Sequence, residues 1–269
     1  MNALPIDLSL AMASLPDMAR GLTINILLTF LTLAIGLFTS LLVTLARMSK
    51  NRLVSGVAAA YVVFFRGAPL LILLYLVYYG FGQIAVVREG PLWLIFGSAF
   101  SCAIIGLVLN HTAFMVEVVR GALEAVPAGL IEASHALGIS PRQTFLRIRL
   151  PLAMRYGLKA YQNEVVMFAK GTAVVSTITV NDLTSVANGI FEATYDPFTP
   201  ILTAAALYWI FVNIVRLGFL KIDRYLNDHL ISEEKRRHAA ATRPVARAAP
   251  RRAAASTGAM APVVREHAA

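Results

Sequence analysis

Long apolar runs alternate along this chain with short connections that contain charged residues. Four runs contain no Asp, Glu, Lys or Arg, and they cover residues 21–46, 67–87, 90–116 and 197–215. An α-helix needs about 17–25 residues to cross the hydrocarbon of a bilayer, so each run is long enough to do so. A fifth stretch, residues 160–181, is also long enough but contains Glu164 and Lys170. The pattern predicts an all-α integral membrane protein with five transmembrane helices.

Basic residues are concentrated in every second connection. Most of them follow the first, third and fifth predicted spans: Arg47, Lys50 and Arg52; Arg120, Arg142, Arg147, Arg149, Arg155 and Lys159; Lys221 and Arg224. Lys and Arg favour the cytoplasmic side of a membrane, so we expect the N-terminus outside and the C-terminus in the cytoplasm. The domain organisation that follows is a periplasmic N-terminal segment, 1–20, a transmembrane domain, 21–230, and a cytoplasmic tail, 231–269.

Composition supports the membrane prediction and excludes a soluble enzyme as the leading class. The chain is 58% hydrophobic and 14% charged, whereas a soluble domain has about 45–50% apolar and about 25% charged residues. The net charge of +9 is unevenly distributed. From residue 232 onwards there are eight Lys or Arg and three Glu, and this Ala- and Arg-rich tail is expected to be disordered.

No set of residues points to catalysis or to a metal site. Cys102 is the single cysteine, and the five histidines are scattered over loop, span and tail. No His, Asp, Glu and Cys set has the spacing of metal ligands, and no Ser, His and Asp set has that of a hydrolase. The chain also lacks a G-x-x-x-x-G-K-[S/T] phosphate-binding loop. We therefore expect a protein that is not an enzyme and that holds no cofactor itself.

The long connection at residues 121–153 has the pattern of a helix–turn–helix. Pro127 suits the first turn of a helix that Gly138 ends in the left-handed conformation. Ser140 and Pro141 then predict a cap and first turn of a second helix, which is expected to end before Pro151. Small residues at the bend favour close approach by another protein. An amphipathic element lying on lipid fits the same pattern, and the residues alone leave both interpretations open.

The same connection resembles the EAA loop of ABC-importer permeases. Glu132-Ala133-Ser134, followed by Gly138, Ile148 and Leu150-Pro151, falls in register with that motif, with Ser134 in place of its second alanine. Other stretches are similar to the polar amino acid uptake permeases, namely residues 66–70, 113–122, 163–164 and 170–172. Residues 181–183 and 193–199 look most similar to the M-type subunit of histidine/lysine/arginine/ornithine and opine importers.

This resemblance implies a type I ABC-importer permease fold and a set of partners. The partners are ABC ATPase subunits that carry ATP and Mg²⁺, a second permease subunit, identical or related, a periplasmic solute-binding protein and membrane lipid, with no nucleic acid. The implied function is import of polar, basic amino acids across the bacterial inner membrane. An opine or glutamine importer remains an alternative, as does a secondary transporter. The residues expected to couple to the ATPase are Glu132, Ala133, Ser134, Gly138, Arg142, Ile148 and Pro151.

Ionisable groups at membrane depth are costly and tend to line polar interiors. Asn163 and Lys170 are seven residues apart and share a helix face. Glu164 points elsewhere, towards another helix, a partner subunit or a wet cavity, where a structural contact and a substrate contact are both open. The candidates for the substrate pathway are Asn163, Glu164, Lys170, Thr172 and His111. Glu117 and Arg120 have the spacing of a structural ion pair.

Overall fold

The computed structural model describes the backbone of residues 6–241 and the side chains of residues 6–226, and within these limits the fold is entirely helical. The helices are α1 Leu8–Arg47, α2 Arg52–Gly67, α3 Leu70–Tyr75, α4 Ala85–Arg88, α5 Trp93–Phe96, α6 Ala99–Glu124, α7 Ala128–Ala136, α8 Pro141–Thr144, α9 Leu150–Gly171, α10 Leu183–Thr194 and α11 Phe198–Ala241. A π-helical turn, Leu76–Gly80, extends α3, and a second one, Phe145–Arg149, precedes α9. A 3-10 helix, Thr172–Ile178, follows α9.

Three of the described helices are long and apolar enough to cross a membrane. They are α1, α6 and the part of α11 from Phe198 to Leu226. The pair formed by α2 and α3 with its π turn brings the number to four if the pair is one span. α9, the polar fifth candidate, is not among these helices. The count of five crossings and the orientation of the termini therefore remain predictions.

The second predicted span, residues 67–87, is not one straight helix. The chain bends by 107° between α2 and the α3 segment, at Ala68 and Pro69. Ala68 is extended, with ψ 131°, because the residue before a proline is pushed out of the helical region. The helical part of this run ends near Gly80, and residues 85–88 form the separate helix α4.

The predicted domain boundaries at residues 20 and 230 both fall inside helices. α1 begins at Leu8, where the Asp7 carboxylate accepts hydrogen bonds from the backbone N–H groups of Ser9 (2.9 Å) and Leu10 (3.2 Å). This cap satisfies helix donors that have no partner in the first turn, so the helix starts before the first apolar run. At the other end α11 continues to Ala241. The remainder of the predicted disordered tail, residues 242–269, lies outside the described residues.

The core lies where α6 packs between α1 and α9. Leu28, Leu107 and Val165 contribute one buried side chain from each of these helices. Small residues allow the close packing that membrane helices use: a Cβ at Gly157 of α9 would lie 2.7 Å from the Cβ of Ala122 in α6. The 3-10 helix closes the same core with Val175 and Ile178.

The connection at 121–153 folds as two helices, but its second helix does not stop. Gly138 adopts φ +72°, and the Ser140 hydroxyl caps the turn that begins at Pro141, as the sequence predicted. The prediction that this helix ends before Pro151 is wrong, because α8 passes through the π turn directly into α9. Pro151 lies in the first turn of α9, where its missing N–H costs little and the π turn accommodates its ring.

Candidate functional site

The bend of the connection presents an exposed surface. Glu132, Ala133, Gly138 and Arg142 are all exposed. Leu137 is 78% exposed and Leu130 is 45% exposed, which leaves two large apolar side chains uncovered beside the acidic Glu132. Ile131 packs inward instead, against a buried cluster formed by Leu123, Val126 and Ala153. The connection is thus anchored to the rest of the fold through Ile131, while its outer face is exposed.

Ser134 has a different position from its motif neighbours. It is 2% exposed, donates to the Ile131 carbonyl at 2.7 Å, and shares a 3.0 Å hydrogen bond with the Thr144 hydroxyl. This bond fastens α7 to α8, so Ser134 stabilises the bend from inside. Ile148 is partly buried and Pro151 is exposed. Thr144 was missed by the sequence analysis, and no pattern in the sequence singled it out.

An ionic cluster lies at the end of α6. Arg120 donates to Glu117 at 2.7 Å, which is the pair that the spacing indicated. The same guanidinium also binds both carboxylate oxygens of Glu124, at 2.7 and 2.8 Å. Arg120 is therefore shared between two carboxylates, and the four-residue spacing of Glu124 was a signal that the sequence analysis did not use.

Glu164 lines a cavity of about 410 Å³ between α6 and α9. Glu117, Tyr156 and Arg66 also line it. The Arg66 guanidinium lies 5.3 Å from the centre of the Phe114 ring and interacts electrostatically with Glu164. The cavity therefore combines acidic, basic and aromatic groups. Arg66 had no predicted role, although it opens the family-like stretch at 66–70.

The other pathway candidates lie elsewhere. Asn163 and Lys170 are exposed on the outside of α9 and do not line this cavity. His111 is fully buried, with its ring centre 4.7 Å from that of Phe168. Neither of its ring nitrogens has a hydrogen-bond partner among the described residues. The structure therefore does not bring the five candidates together.

Thr172 belongs to a buried polar network. Asn25 of α1 donates to the Asp182 carboxylate at 3.0 Å and to the Thr172 hydroxyl at 3.4 Å, while its own oxygen accepts from the Leu183 N–H at 3.0 Å. Tyr208 of α11 donates to the same carboxylate at 3.2 Å. Thr172, Asn25 and Asp182 have no exposed surface. This network joins four segments of the chain, and the sequence analysis missed all of it except Thr172.

No group of three or more metal-ligand side chains occurs within the described part of the chain. The arrangement instead combines an exposed bend, a cavity with charged walls and a helical body that carries both.

Three proteins with similar sequences are all described as transport permeases. The chain is 38% identical to the nopaline transport system permease protein NocM of Agrobacterium fabrum, over 84% of this chain and 94% of that protein. It is 34% identical to the arginine ABC transporter permease protein ArtM of Haemophilus influenzae, over 76% of this chain and 90% of that protein. It is also 34% identical to the histidine/lysine/arginine/ornithine transport system permease protein HisM of Escherichia coli K12, over 78% and 89%.

Solved structures agree. The crystal structure of an amino acid ABC transporter with histidines is similar with a TM-score of 0.73 and 30% identity, over 82% of this chain and 99% of that chain. An inward-facing structure of the MetNI methionine ABC transporter, at 20% identity and a TM-score of 0.60, shares the fold. Residues 33–224 match the family described as the binding-protein-dependent transport system inner membrane component, and the chain belongs to that family of ABC-transporter permease subunits.

Proposed function

We propose that this chain is the permease subunit of an ATP-driven importer for polar amino acids, chiefly the basic ones: arginine, lysine, histidine and ornithine. The observation that carries the substrate assignment is the cavity shared by Glu164 and Arg66. An amino acid carries both an ammonium and a carboxylate group. Glu164 is suited to a cationic group, and the planar guanidinium of Arg66 is suited to a carboxylate.

The names of the relatives support the same class of solute. Two of them are permeases for arginine and for histidine, lysine, arginine and ornithine. The nopaline permease favours a second candidate, an opine, which also contains an amino acid with charged groups. The remaining predicted pathway residues have other proposed roles. Asn163 and Lys170 lie on the exposed face of α9. Thr172 belongs to the buried polar network with Asn25, and His111 packs against Phe168 of α9.

The proposed topology has five crossings of the bacterial inner membrane, with the N-terminus outside. α1, the broken α2–α3 pair, α6, α9 and α11 supply the crossings. The apolar length of α1, α6 and α11 supports this arrangement, as does the basic composition of alternate connections. Residues 231–269 then lie on the cytoplasmic side, with residues 121–153.

The proposed partners follow from the exposed surfaces. The bend around Glu132, Leu137 and Gly138 docks an ABC ATPase, which is a separate chain and carries ATP and Mg²⁺. Leu137 supplies an apolar anchor, and Arg142 supplies a charge for electrostatic complementarity. A second permease subunit and lipid cover the apolar helix faces, and a periplasmic binding protein delivers the solute. No cofactor and no nucleic acid is assigned to this chain.

An uptake assay with purified components tests the proposal. Labelled arginine is supplied to vesicles containing the full chain, the second permease subunit, the ATPase and the binding protein, in competition with lysine, histidine, glutamine and octopine. Basic amino acids should compete strongly, and uptake should require ATP. Octopine as the strongest competitor would assign the opine function instead, and uptake driven by an ion gradient without ATP would contradict the proposal.

A matched pair of variants tests the cavity itself. Glu164→Gln should reduce arginine uptake by about tenfold or more, because it removes one charge-assisted hydrogen bond. Glu192→Gln removes an exposed carboxylate of α10 outside the cavity and should stay within about twofold of the parent. Equal uptake by the two variants would remove Glu164 from the pathway.

A further inference from the structure

A second cavity, of about 290 Å³, lies at the C-terminal end of α1 and borders the same turns of α6 as the Glu164 cavity. It is lined by residues from the ends of α1 and α6 and from the π turn that precedes α9: Arg47, Met48, Arg120, Leu123, Glu124 and Arg149. Three of these six residues are arginines. The proposed solute pathway uses none of them, so the cavity needs a separate explanation.

The arginines of this cavity are not equally neutralised. Arg120 is bound by Glu117 and Glu124, as described above. Among the described residues, Arg149 makes two long hydrogen bonds, both 3.4 Å, from its guanidinium to the Leu123 carbonyl. The Nε of Arg47 is buried and has no hydrogen-bond partner among the described residues. Arg47 and Arg149 therefore line the cavity without an ion-pair partner in the described region, and the one carboxylate that also lines it, Glu124, binds Arg120.

A buried donor without an acceptor reduces stability, so such groups in proteins are normally satisfied by a protein group, water or a ligand. Water can satisfy such a donor, but an oxyanion can accept hydrogen bonds from Arg47 and Arg149 at once and also offset their charge. Arginine forms two parallel hydrogen bonds to phosphate and carboxylate oxygens. Three arginines and one carboxylate line the cavity, so its positive charge suits a phosphate group.

We propose that this cavity binds the phosphate group of an anionic membrane lipid. The cavity lies at the end of a long apolar helix, where lipid headgroups are expected, and clusters of Lys and Arg at this level attract anionic lipids. Leu45 of α1 is 64% exposed and Met48 is 48% exposed, so apolar surface for acyl chains lies beside the arginines. Free inorganic phosphate has the same recognition chemistry without the acyl chains, and the experiment separates the two.

Lipid binding to the purified full chain, measured by native mass spectrometry in detergent, tests this proposal. Phosphatidylglycerol, phosphatidylcholine and inorganic phosphate are the three ligands. Phosphatidylglycerol should bind about tenfold more tightly than phosphatidylcholine. Arg47→Gln should weaken phosphatidylglycerol binding by about tenfold, the loss expected for one charge-assisted hydrogen bond. Arg47→Lys keeps the charge but loses the Nε donor, so its affinity for phosphatidylglycerol should lie between those of the parent chain and Arg47→Gln.

Arg52→Gln is the matched control, because it removes one exposed positive charge from the same connection outside the cavity. It should change lipid binding by less than about twofold. Arg149→Gln tests the site independently if Arg47→Gln does not fold, and should also weaken binding about tenfold.

Three results would overturn the proposal. Equal weakening by Arg47→Gln and Arg52→Gln would mean that lipid binds by general charge attraction and not in this cavity. Inorganic phosphate binding as tightly as phosphatidylglycerol would make the ligand a free anion. Unchanged lipid binding, together with loss of ATPase co-purification in Arg47→Gln, would assign the cavity to a protein partner.

Discussion

Replacing Asn25 by leucine tests whether the buried polar network fastens α10 to α1. The amide of Asn25 makes three hydrogen bonds, to Asp182, to Thr172 and from the Leu183 N–H. Leucine has the same branching at Cγ but is larger and has no hydrogen-bonding atoms. The substitution therefore removes all three bonds and leaves the buried Leu183 N–H without an acceptor.

The cost follows from these contacts. Hydrogen bonds between membrane helices contribute about 0.6 kcal/mol each on average, and a buried donor left unsatisfied costs about 1–3 kcal/mol. The two bonds that Asn25 donates and the one donor left unsatisfied together give a destabilisation of about 2–4 kcal/mol. For a chain of this size each kcal/mol lowers the melting temperature by about 2–4 °C, so the expected drop is about 5–15 °C.

Thermal unfolding of the purified full chain in detergent measures this drop, with all variants scanned at the same rate. Asn213→Leu is the control, because Asn213 is also an asparagine of an apolar helix but bonds to the Trp209 carbonyl of its own helix at 2.8 Å. The control should cost less than about 1 kcal/mol. Equal drops for the two variants would refute the reasoning that the network carries more stability than an ordinary polar side chain.

Other residues give three further predictions. Gly21→Ala should destabilise the protein by about 1–3 kcal/mol, because the added Cβ would lie 2.8 Å from the rigid backbone of Leu183. Gly106→Ala should cost less in the same melting experiment, because its Cβ would lie 2.8 Å from the end of the flexible Leu74 side chain. Equal losses would contradict this. Gly138→Ala should lower uptake and expose residues 121–153 to protease, because its φ of +72° costs an alanine about 1–2 kcal/mol, while Gly129→Ala in α7 should leave both readouts unchanged. Hydrogen bonds from Ser9 and Leu10 hold the pKa of Asp7 below its usual 3.8, so its cap on α1 is intact above pH 3.8 and is lost as the pH falls through the lowered value. Hydrogen exchange in the first turn of α1 should rise over that range, and Asp7→Asn should show no such pH dependence.

Local signals in the sequence predicted the parts of this structure that depend on neighbouring residues. The stop at Gly138 and the start at Ser140 follow from backbone sterics and capping, which act over a few residues. Pro69 is an equally local signal for the bend between α2 and α3. It was not used, because residues 67–87 form one uncharged apolar run and were interpreted as a single span.

Contacts between residues far apart in the chain could not be predicted from the sequence. Asn25 and Asp182 are 157 positions apart, and their hydrogen bond depends on how α1 packs against the segment before α10. The cavity that joins Arg66 to Glu164 likewise needs two segments to be folded together. A single sequence shows which residues are polar within apolar runs, but not which of them meet.

The unbroken passage from the π turn Phe145–Arg149 into α9 has a mechanical consequence. The two segments together form one continuous helical stretch of about 40 Å, at 1.5 Å per residue, from Phe145 to Gly171. A tilt of about 5° at one end of a stretch of this length, transmitted without bending, displaces the other end by about 3–4 Å. Glu164 lies most of the way along it, so we expect such a tilt to change the width of the cavity beside Arg66.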